Sequence, residues 1–272
     1  MSQRFSLYSK YLLLVGLFLL TSYQIAATCA PAVTQPAGKC IGGFPGLLPI
    51  CEGGSPIVID TTGGGFKFTD PQTKYVTFDL LNTGSPIKIS WTQQGSGNAW
   101  LVLPDANGNV SSGAQLFGDH TPQPASDHPD GYKALQQWDS TTNGGNQNGV
   151  IDSGDAVFSN LRLWIDTHCY TTPNVACTAL PGELFTLPSK GINSLGFVPI
   201  MYSPQNWDQW GNNFKLAVVV NPIHRAGESA KPQVSGDSLG RLSYDVWLAN
   251  QNTTVPPAGT QMTMATPQHE AP

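Results

Sequence analysis

The residues best suited to chemistry crowd into one stretch, Asp139-Ser-Thr-Thr-Asn-Gly-Gly-Asn-Gln-Asn-Gly-Val-Ile-Asp-Ser-Gly-Asp155, where short carboxylate and amide side chains alternate with glycine. Calcium is bound by oxygens of this kind. A loop of about twelve residues between two helices draws them from positions 1, 3, 5, 7, 9 and 12, with glycine at 6 for the sharp turn. Setting Gly149 at position 6 puts Asn146, Asn148, Asp152 and Asp155 at positions 3, 5, 9 and 12, and the main-chain carbonyl of Val150 at 7. Ile151 then falls at the apolar position 8, turned inward to anchor the loop. Position 1 lands on Gly144, which has no side-chain oxygen. Asp139 supplies that ligand if the Thr-Thr-Asn-Gly-Gly stretch after Ser140 bulges outward. With Asp139 the site carries three negative charges, enough for calcium at modest affinity; without it, two and weak binding. The same residues also make good turns. Asp152 to Asp155 would cap a following helix with Val157, Phe158 and Leu161 on its apolar face. On the residues alone both readings stand.

Other patterns offer less. Gly236-Asp-Ser-Leu-Gly240 matches the G-x-S-x-G and GDSL tags of esterases. A nucleophile elbow needs a buried strand before it and a helix after it. Here Ala230-Lys-Pro-Gln-Val-Ser235 precedes it and a strand-like run, 242–248, follows. GDSL hydrolases also have an Asp-x-x-His downstream, whereas His269 has Thr266 three positions back. A turn ahead of the last strand fits better, and the esterase reading requires Ser238 to react with a serine-directed probe. His120, His128, His168, His224 and His269 show no H-E-x-x-H spacing, and only a loose pair, His120 with His128, flanks a Pro-rich loop. Asp208, between Trp207 and Trp210, suits either a sugar-stacking surface or core packing, and the even spread of seven Trp favours packing. Gly63-Gly-Gly65 lies between strand-like runs and reads as a hairpin turn, not a phosphate loop.

The elements that must position these residues sit in a chain of 272 residues with 29 Gly and 22 Pro, which points to many turns and few long helices. Charged residues make up 11%, well under the ~25% usual for soluble domains, which argues against a coiled coil or a charge-rich disordered chain. The acidic balance, 18 Asp+Glu against 13 Lys+Arg, leaves no polycationic surface for nucleic acid. Arg4 and Lys10, the apolar run 12–20 and the small residues up to Ala27 read as an export signal over 1–30, cleaved after Ala27 or Ala30. Its apolar run falls short of the ~20 residues a bilayer span needs, and no later segment is apolar enough. Removing it takes the formal net charge from −5 to −7. Thr28 before Cys29 makes only a weak lipidation signal. Setting Cys29 aside, Cys40, Cys51, Cys169 and Cys177 permit three pairings. The local bridges Cys40–Cys51 and Cys169–Cys177 are preferred because they close the shortest loops. The competing zinc reading lacks a C-x-x-C and a His pair.

Residues 31–54 form a Pro/Gly/Cys-rich lead-in, 55–250 a single α+β domain, and 251–272 a tail expected to be disordered. Strand signals cover 57–60, 66–68, 75–79, 87–91 and 100–103, read as an antiparallel meander, and return at 194–202, 213–220 and 242–248. Short helical pieces are expected at 114–117, 131–138, 154–161 and 182–187.

Several segments, in order, carry a resemblance: "PIVID", "FDL", "ISWTQQGSGNAWLVLPDANGN", "LFGDHTPQP", "GYKALQQWD", "NQNGVIDSGDAVFSNLRLWID", "PGELFTLPSKGI", "GNNFKLAV" and "LSYDVWL". From Pro56 to about Leu248 the chain resembles a family of secreted bacterial proteins of largely unknown role with degenerate EF-hand-like or dockerin-like calcium loops. The resemblance implies three loops, calcium binding and export, and no known reaction. The first loop, Asp105 to Gln115, is about two residues short, lacks the loop glycine and ends in Gln115 where the family has Glu, so little or no calcium is expected there. The third, Asp166 to Glu183, carries six extra residues with Cys169 and Cys177 inside, which suggests that a disulfide has taken over the ordering role of the ion. The second, 139–155, is left as the candidate.

The combined expectation is an α+β fold, a mainly antiparallel sheet with short helices and EF-hand-like loops in the middle of the chain. The expected function is a secreted or cell-envelope, non-enzymatic protein, monomeric and acting through an unknown protein or surface partner. Its calcium is held by Asp139, Asn146, Asn148, Val150, Asp152 and Asp155. A dockerin-like docking module is the alternative. It requires exposed apolar residues around Leu161–Trp164, where a structural ion requires them buried.

Overall fold

The computed structural model describes residues 40, 41, 50, 51, 54–203, 206–222 and 241–253, all within one compact unit, Ala37–Pro272. In chain order the elements are β1 (Cys40–Ile41), β2 (Ile50–Cys51), β3 (Ile57–Asp60), β4 (Val76–Phe78), β5 (Ile87–Ile89), β6 (Asn98–Val102), α1 (Gly131–Gln136), β7 (Val150–Asp152), β8 (Arg162–Trp164), β9 (Leu184–Thr186), β10 (Ser194–Gly196), β11 (Met201–Tyr202), β12 (Asn213–Val219) and β13 (Leu242–Trp247). Seven of them form one antiparallel sheet in the order β11-β12-β13-β3-β6-β8-β9. The expected export signal, most of the lead-in, the 236–240 motif and most of the tail lie outside the described residues, as do Cys29, His224, Ser238 and His269.

Both faces of the sheet are covered, so its central strands are apolar on both sides rather than alternating with polar residues. Ile57, Ile59, Ala99, Leu101 and Leu163 pack on Tyr132, Ala134 and Leu135 of α1 and on Ile151, Val157, Phe158 and Leu161 from the segment leading into β8. Val58, Trp100, Val102 and Trp164 face the other way, under Val76, Phe78, Ile87, Ile89 and Trp91 of the β4–β5 hairpin and its flank. Trp91 links this layer together, its ring centroid 4.8 Å from that of Trp100 and 5.3 Å from that of Trp164. All three indoles are fully buried, so these tryptophans serve the core.

The mainly antiparallel sheet with short helices matches expectation; the meander does not. β3 and β6 pair directly in the main sheet, and the intervening β4–β5 hairpin forms its own two-stranded sheet across one face. Alternation within each segment shows that it is a strand but not which layer it joins. Helix is scarcer than expected. Among the described residues the one α-helix is α1, six residues long. The 114–117 stretch is a turn, 154–161 holds only a 3-10 turn at Phe158–Asn160, and 182–187 splits into a 3-10 turn (Pro181–Glu183) and β9. Segments this short, bounded by Gly and Asx turns, lie below the length at which an α-helix repays its nucleation. In β1–β2 the backbone register sets Cys40 opposite Cys51. No helix among the described residues is long and apolar enough to cross a membrane.

Candidate functional site

Loop 139–155 is entered from α1, whose N-terminus is capped by Asp130 accepting from Lys133 N at 2.8 Å. A 3-10 turn, Gln137–Asp139, continues the helix and ends on a buried Asp139. Residues 141–144 then turn outward, exposed, in a second 3-10 turn, Thr141–Asn143. The chain comes back through Gly145, where a Cβ would collide with the main chain of Trp138 and Asp139, and Gln147 N donates to Asp139 O at 2.9 Å. The outward excursion therefore returns the chain directly beside Asp139. Gly149 has φ +88°, a conformation that any other side chain would strain.

The loop's oxygens converge on its own N–H groups. Asp139 accepts from Asn148 N at 3.1 Å through Oδ1 and from Gly149 N at 3.0 Å through Oδ2. Asp155 accepts from Asn146 N at 3.1 Å and from Asp152 N at 2.8 Å. Asn146 Oδ1 accepts from Asn148 N, and Asn148 Oδ1 from Val150 N, both at 3.0 Å. Asp152 accepts from Gly154 N at 2.7 Å and, through its other oxygen, from the Asn148 amide at 3.0 Å. An ionised carboxylate has about four lone-pair sites, so each aspartate keeps acceptor capacity to spare. Burial pushes the Asp155 carboxyl up from its ordinary value, the charges of Asp139 and Asp152 push it further, and the two main-chain N–H groups work against both. Val150 and Asp152 lie in β7, opposite Gly196 and Ser194 of β10, and a fully buried Ile151 anchors the loop in the core. No helix starts at Asp155, because the chain turns at Val157–Asn160 and enters β8 directly. Leu161, Leu163 and Trp164 are fully buried, so the apolar face that a docking module would expose is inside the protein.

Loop 166–183 leaves β8 and returns in β9, and here the structure gathers groups that sequence reasoning passed over. Cys169 and Cys177 form a disulfide, Cα–Cα 5.4 Å. Glu183 Oε1 accepts from Thr167 N at 2.8 Å and Thr167 Oγ1 at 2.6 Å and meets His168 Nδ1 at 2.9 Å. Its Oε2 accepts from Trp164 Nε1 at 3.2 Å and Leu180 N at 3.1 Å. Asp166 Oδ1 accepts from His168 N and Cys169 N, each at 3.0 Å, and lies 3.4 Å from His168 Nδ1. Burial raises the Asp166 carboxyl, with the Glu183 charge adding to it. Burial acts in the same direction on Glu183, but hydrogen bonds from Thr167, His168 and Leu180 outweigh it and bring that carboxyl down to about 2. Among the described residues, ligand atoms of Asp166, His168 and Glu183 all lie within 4.8 Å of one another, and the other such group, His168 with Cys169 and Cys177, has its sulfurs in the disulfide. The signal available in the sequence was Asp166-x-His168 at the head of the loop and Glu183 just before β9. The three aspartates of loop 139–155 do not converge this closely. Oxygens on opposite sides of a calcium ion stand roughly 5 Å apart, given its bond lengths, so a calcium loop does not require it.

The remaining expected sites resolve into turns. Asp105, fully exposed, accepts from Asn109 N and Asn107 N, which hold its carboxyl below the ordinary value, and Gln115 Oε1 accepts from Ser111 N and Ser112 N. Asp208 accepts from Trp210 N, Asn212 N and the Asn212 amide, organising a turn rather than facing a ligand. Asp60 accepts from the N–H groups of Thr62, Gly63 and Gly65, which makes the glycine run a side-chain-organised turn. His120 pairs with Asp119 at 3.8 Å. One buried acid was not anticipated. Asp245 in β13 is fully buried, its Oδ2 accepts from Gly131 N at 2.7 Å, and burial drives its carboxyl up to about 8.

The fold is a seven-stranded antiparallel sheet whose loops are organised by aspartate side chains. Residues 57–219, more than half of the chain, match the SPM domain, and the chain belongs to that family. The iron-regulated protein FrpA of Neisseria meningitidis serogroup C is 34% identical over 144 residues, which cover 52% of this chain and 12% of that relative.

Proposed function

We propose that this chain is a secreted, non-enzymatic SPM-domain protein in which calcium orders the 139–155 loop. The ligands are Asp139, Asn146, Asn148, the Val150 carbonyl, Asp152 and Asp155. The observation that carries the reading is the hydrogen bonding of the two acids at its ends. Asp139 accepts from the N–H groups at positions 5 and 6, and Asp155 from those at 3 and 9. The chain is thus wound around both carboxylates, as an EF-hand-like loop winds around its first and last ligands. Asp139 takes the part that Gly144 cannot, the excursion through 141–144 absorbing the extra residues. The charges of Asp139 and Asp152 add to burial in raising the proton affinity of Asp155, and a divalent cation relieves that repulsion. The buried apolar residues at Leu161–Trp164 favour a structural ion over docking.

Calcium bound by the folded state alone adds stability as ln(1+[Ca]/Kd), about 2.7 kcal/mol at a hundredfold excess over Kd. Calorimetric melts with calcium and with EGTA are expected to differ by several degrees, and Asp152→Ala with Asp155→Ala to abolish the difference. Equal melting temperatures of the parent chain in the two buffers reject the proposal.

A further inference from the structure

We infer that Asp166, His168 and Glu183 form a second metal site, independent of the 139–155 loop, which takes a borderline transition-metal dication such as Zn2+ in preference to calcium. His168 Nδ1 stands 2.9 Å from Glu183 Oε1 and 3.4 Å from Asp166 Oδ1. Ligands around a tetrahedral ion with bonds near 2.0–2.2 Å stand about 3.3–3.6 Å apart, so three ligand atoms all within 4.8 Å of one another need only small side-chain shifts to share a centre. A second observation points the same way. The Asp166 side chain is fully buried, and its Oδ2 has no hydrogen-bond partner. A buried carboxylate oxygen left unpaired costs roughly 1–3 kcal/mol or more, and a cation coordinated there removes that cost.

The ligands are also held from behind. Thr167, Trp164 Nε1 and Leu180 N fix Glu183, and the main-chain N–H groups of His168 and Cys169 fix Asp166. Such outer contacts orient metal ligands and sharpen affinity. The donor set decides the ion. Calcium and magnesium take oxygen, whereas an imidazole nitrogen beside carboxylates suits zinc and its neighbours. Two carboxylates and a neutral imidazole balance a dication, which takes the place of the proton between His168 Nδ1 and Glu183. His168 keeps 31% of its side chain exposed, which gives the ion an entry and leaves a coordination position to water.

The test uses the full chain with its disulfides intact, stripped with EDTA and titrated with Zn2+ by calorimetry and with Co2+ by visible absorption, in excess Ca2+. One equivalent of Zn2+ is expected to bind despite the calcium, and Co2+ to show the d–d bands of a four- or five-coordinate site. His168→Asn and Asp166→Asn should each weaken binding by about 100-fold. Asp152→Ala with Asp155→Ala should leave it unchanged, which separates this site from the calcium loop. X-ray absorption of the zinc-loaded parent chain, which depends on no variant folding, should show a single imidazole with oxygen and no sulfur. The inference is overturned by absence of Zn2+ binding, by displacement with stoichiometric calcium, by binding that survives both Asn variants, or by sulfur in the coordination shell.

Discussion

Loop 139–155 leads into β8 and loop 166–183 leaves it, so one short strand joins two turns held by different means. The first is held by noncovalent contacts alone. Its aspartates and asparagines cap main-chain N–H groups, its outer stretch is exposed, and β7 and Ile151 tie it to the core. The second is held covalently by Cys169–Cys177, both buried, and by a Glu183 carboxylate that satisfies five donors. A loop whose order depends on exposed polar contacts gains most from an ion. A loop already stapled gains little order, and its buried side chains are available to set which ion is chosen. This difference underlies the proposal of a hard, oxygen-only site in the first loop and of a nitrogen-containing site in the second.

The largest expected effect lies in neither loop and sets the background against which both must be measured. Asp245 is raised from an unfolded value near 4 to about 8 in the fold, so the folded chain binds one more proton than the unfolded chain across that window. The contribution of Asp245 to stability is therefore full at the acid end, is lost at up to about 1.4 kcal/mol per pH unit as pH rises from roughly 4 to 8, and levels off above. Asp245→Asn keeps an acceptor for Gly131 N and should flatten the profile, as read by denaturant unfolding across pH. An unchanged slope would place the proton elsewhere.

Next in size is the staple. Cys169→Ala with Cys177→Ala should cost about 2.5 kcal/mol, the loop-closure value for a bridge this short, measured by chemical denaturation. The calcium-dependent shift in melting should persist in that variant. Its disappearance would show that the two loops order as one unit, and the contrast between them would fail. Smaller still is Asp139→Asn, which lowers the proposed calcium loop from three negative charges to two. Calcium affinity should fall roughly tenfold, or about 1.4 kcal/mol, by titration calorimetry. An unaltered affinity would mean that Asp139 only shapes the turn. Smallest is Gly149→Ala, where φ is +88°; about 1 kcal/mol of stability should be lost, and saturating calcium should recover part of it.

Much of loop 139–155 was legible because its partners are close in sequence. Asn146, Asn148, Asp152 and Asp155 reach N–H groups two to nine residues away, and such contacts follow from spacing. The role of Asp139 depended on how far a five-residue excursion returns, which Gly145 and its close approach to Asp139 decide. In loop 166–183 the pairing of Cys169 with Cys177 was readable from proximity, whereas His168 meeting Glu183 was not, because the two are fifteen positions apart and strands β8 and β9 bring them together. The short helices expected at 114–117, 154–161 and 182–187 failed for the opposite reason. Local apolar spacing was present, but the segments were too short to nucleate and were claimed by turns and sheet.

The chain by itself determined the early and late strands, the turns between them and the oxygen-rich character of the middle loops, because alternation, glycine and Asx chemistry act over a few residues. Only the tertiary structure decided which strands share a sheet and that the β4–β5 hairpin lies across it as a separate layer. It also decided that Asp245 ends in the core and that Asp166, His168 and Glu183 share one pocket of space. Those outcomes depend on burying two apolar faces of a single sheet at once, a condition that no local stretch of residues expresses.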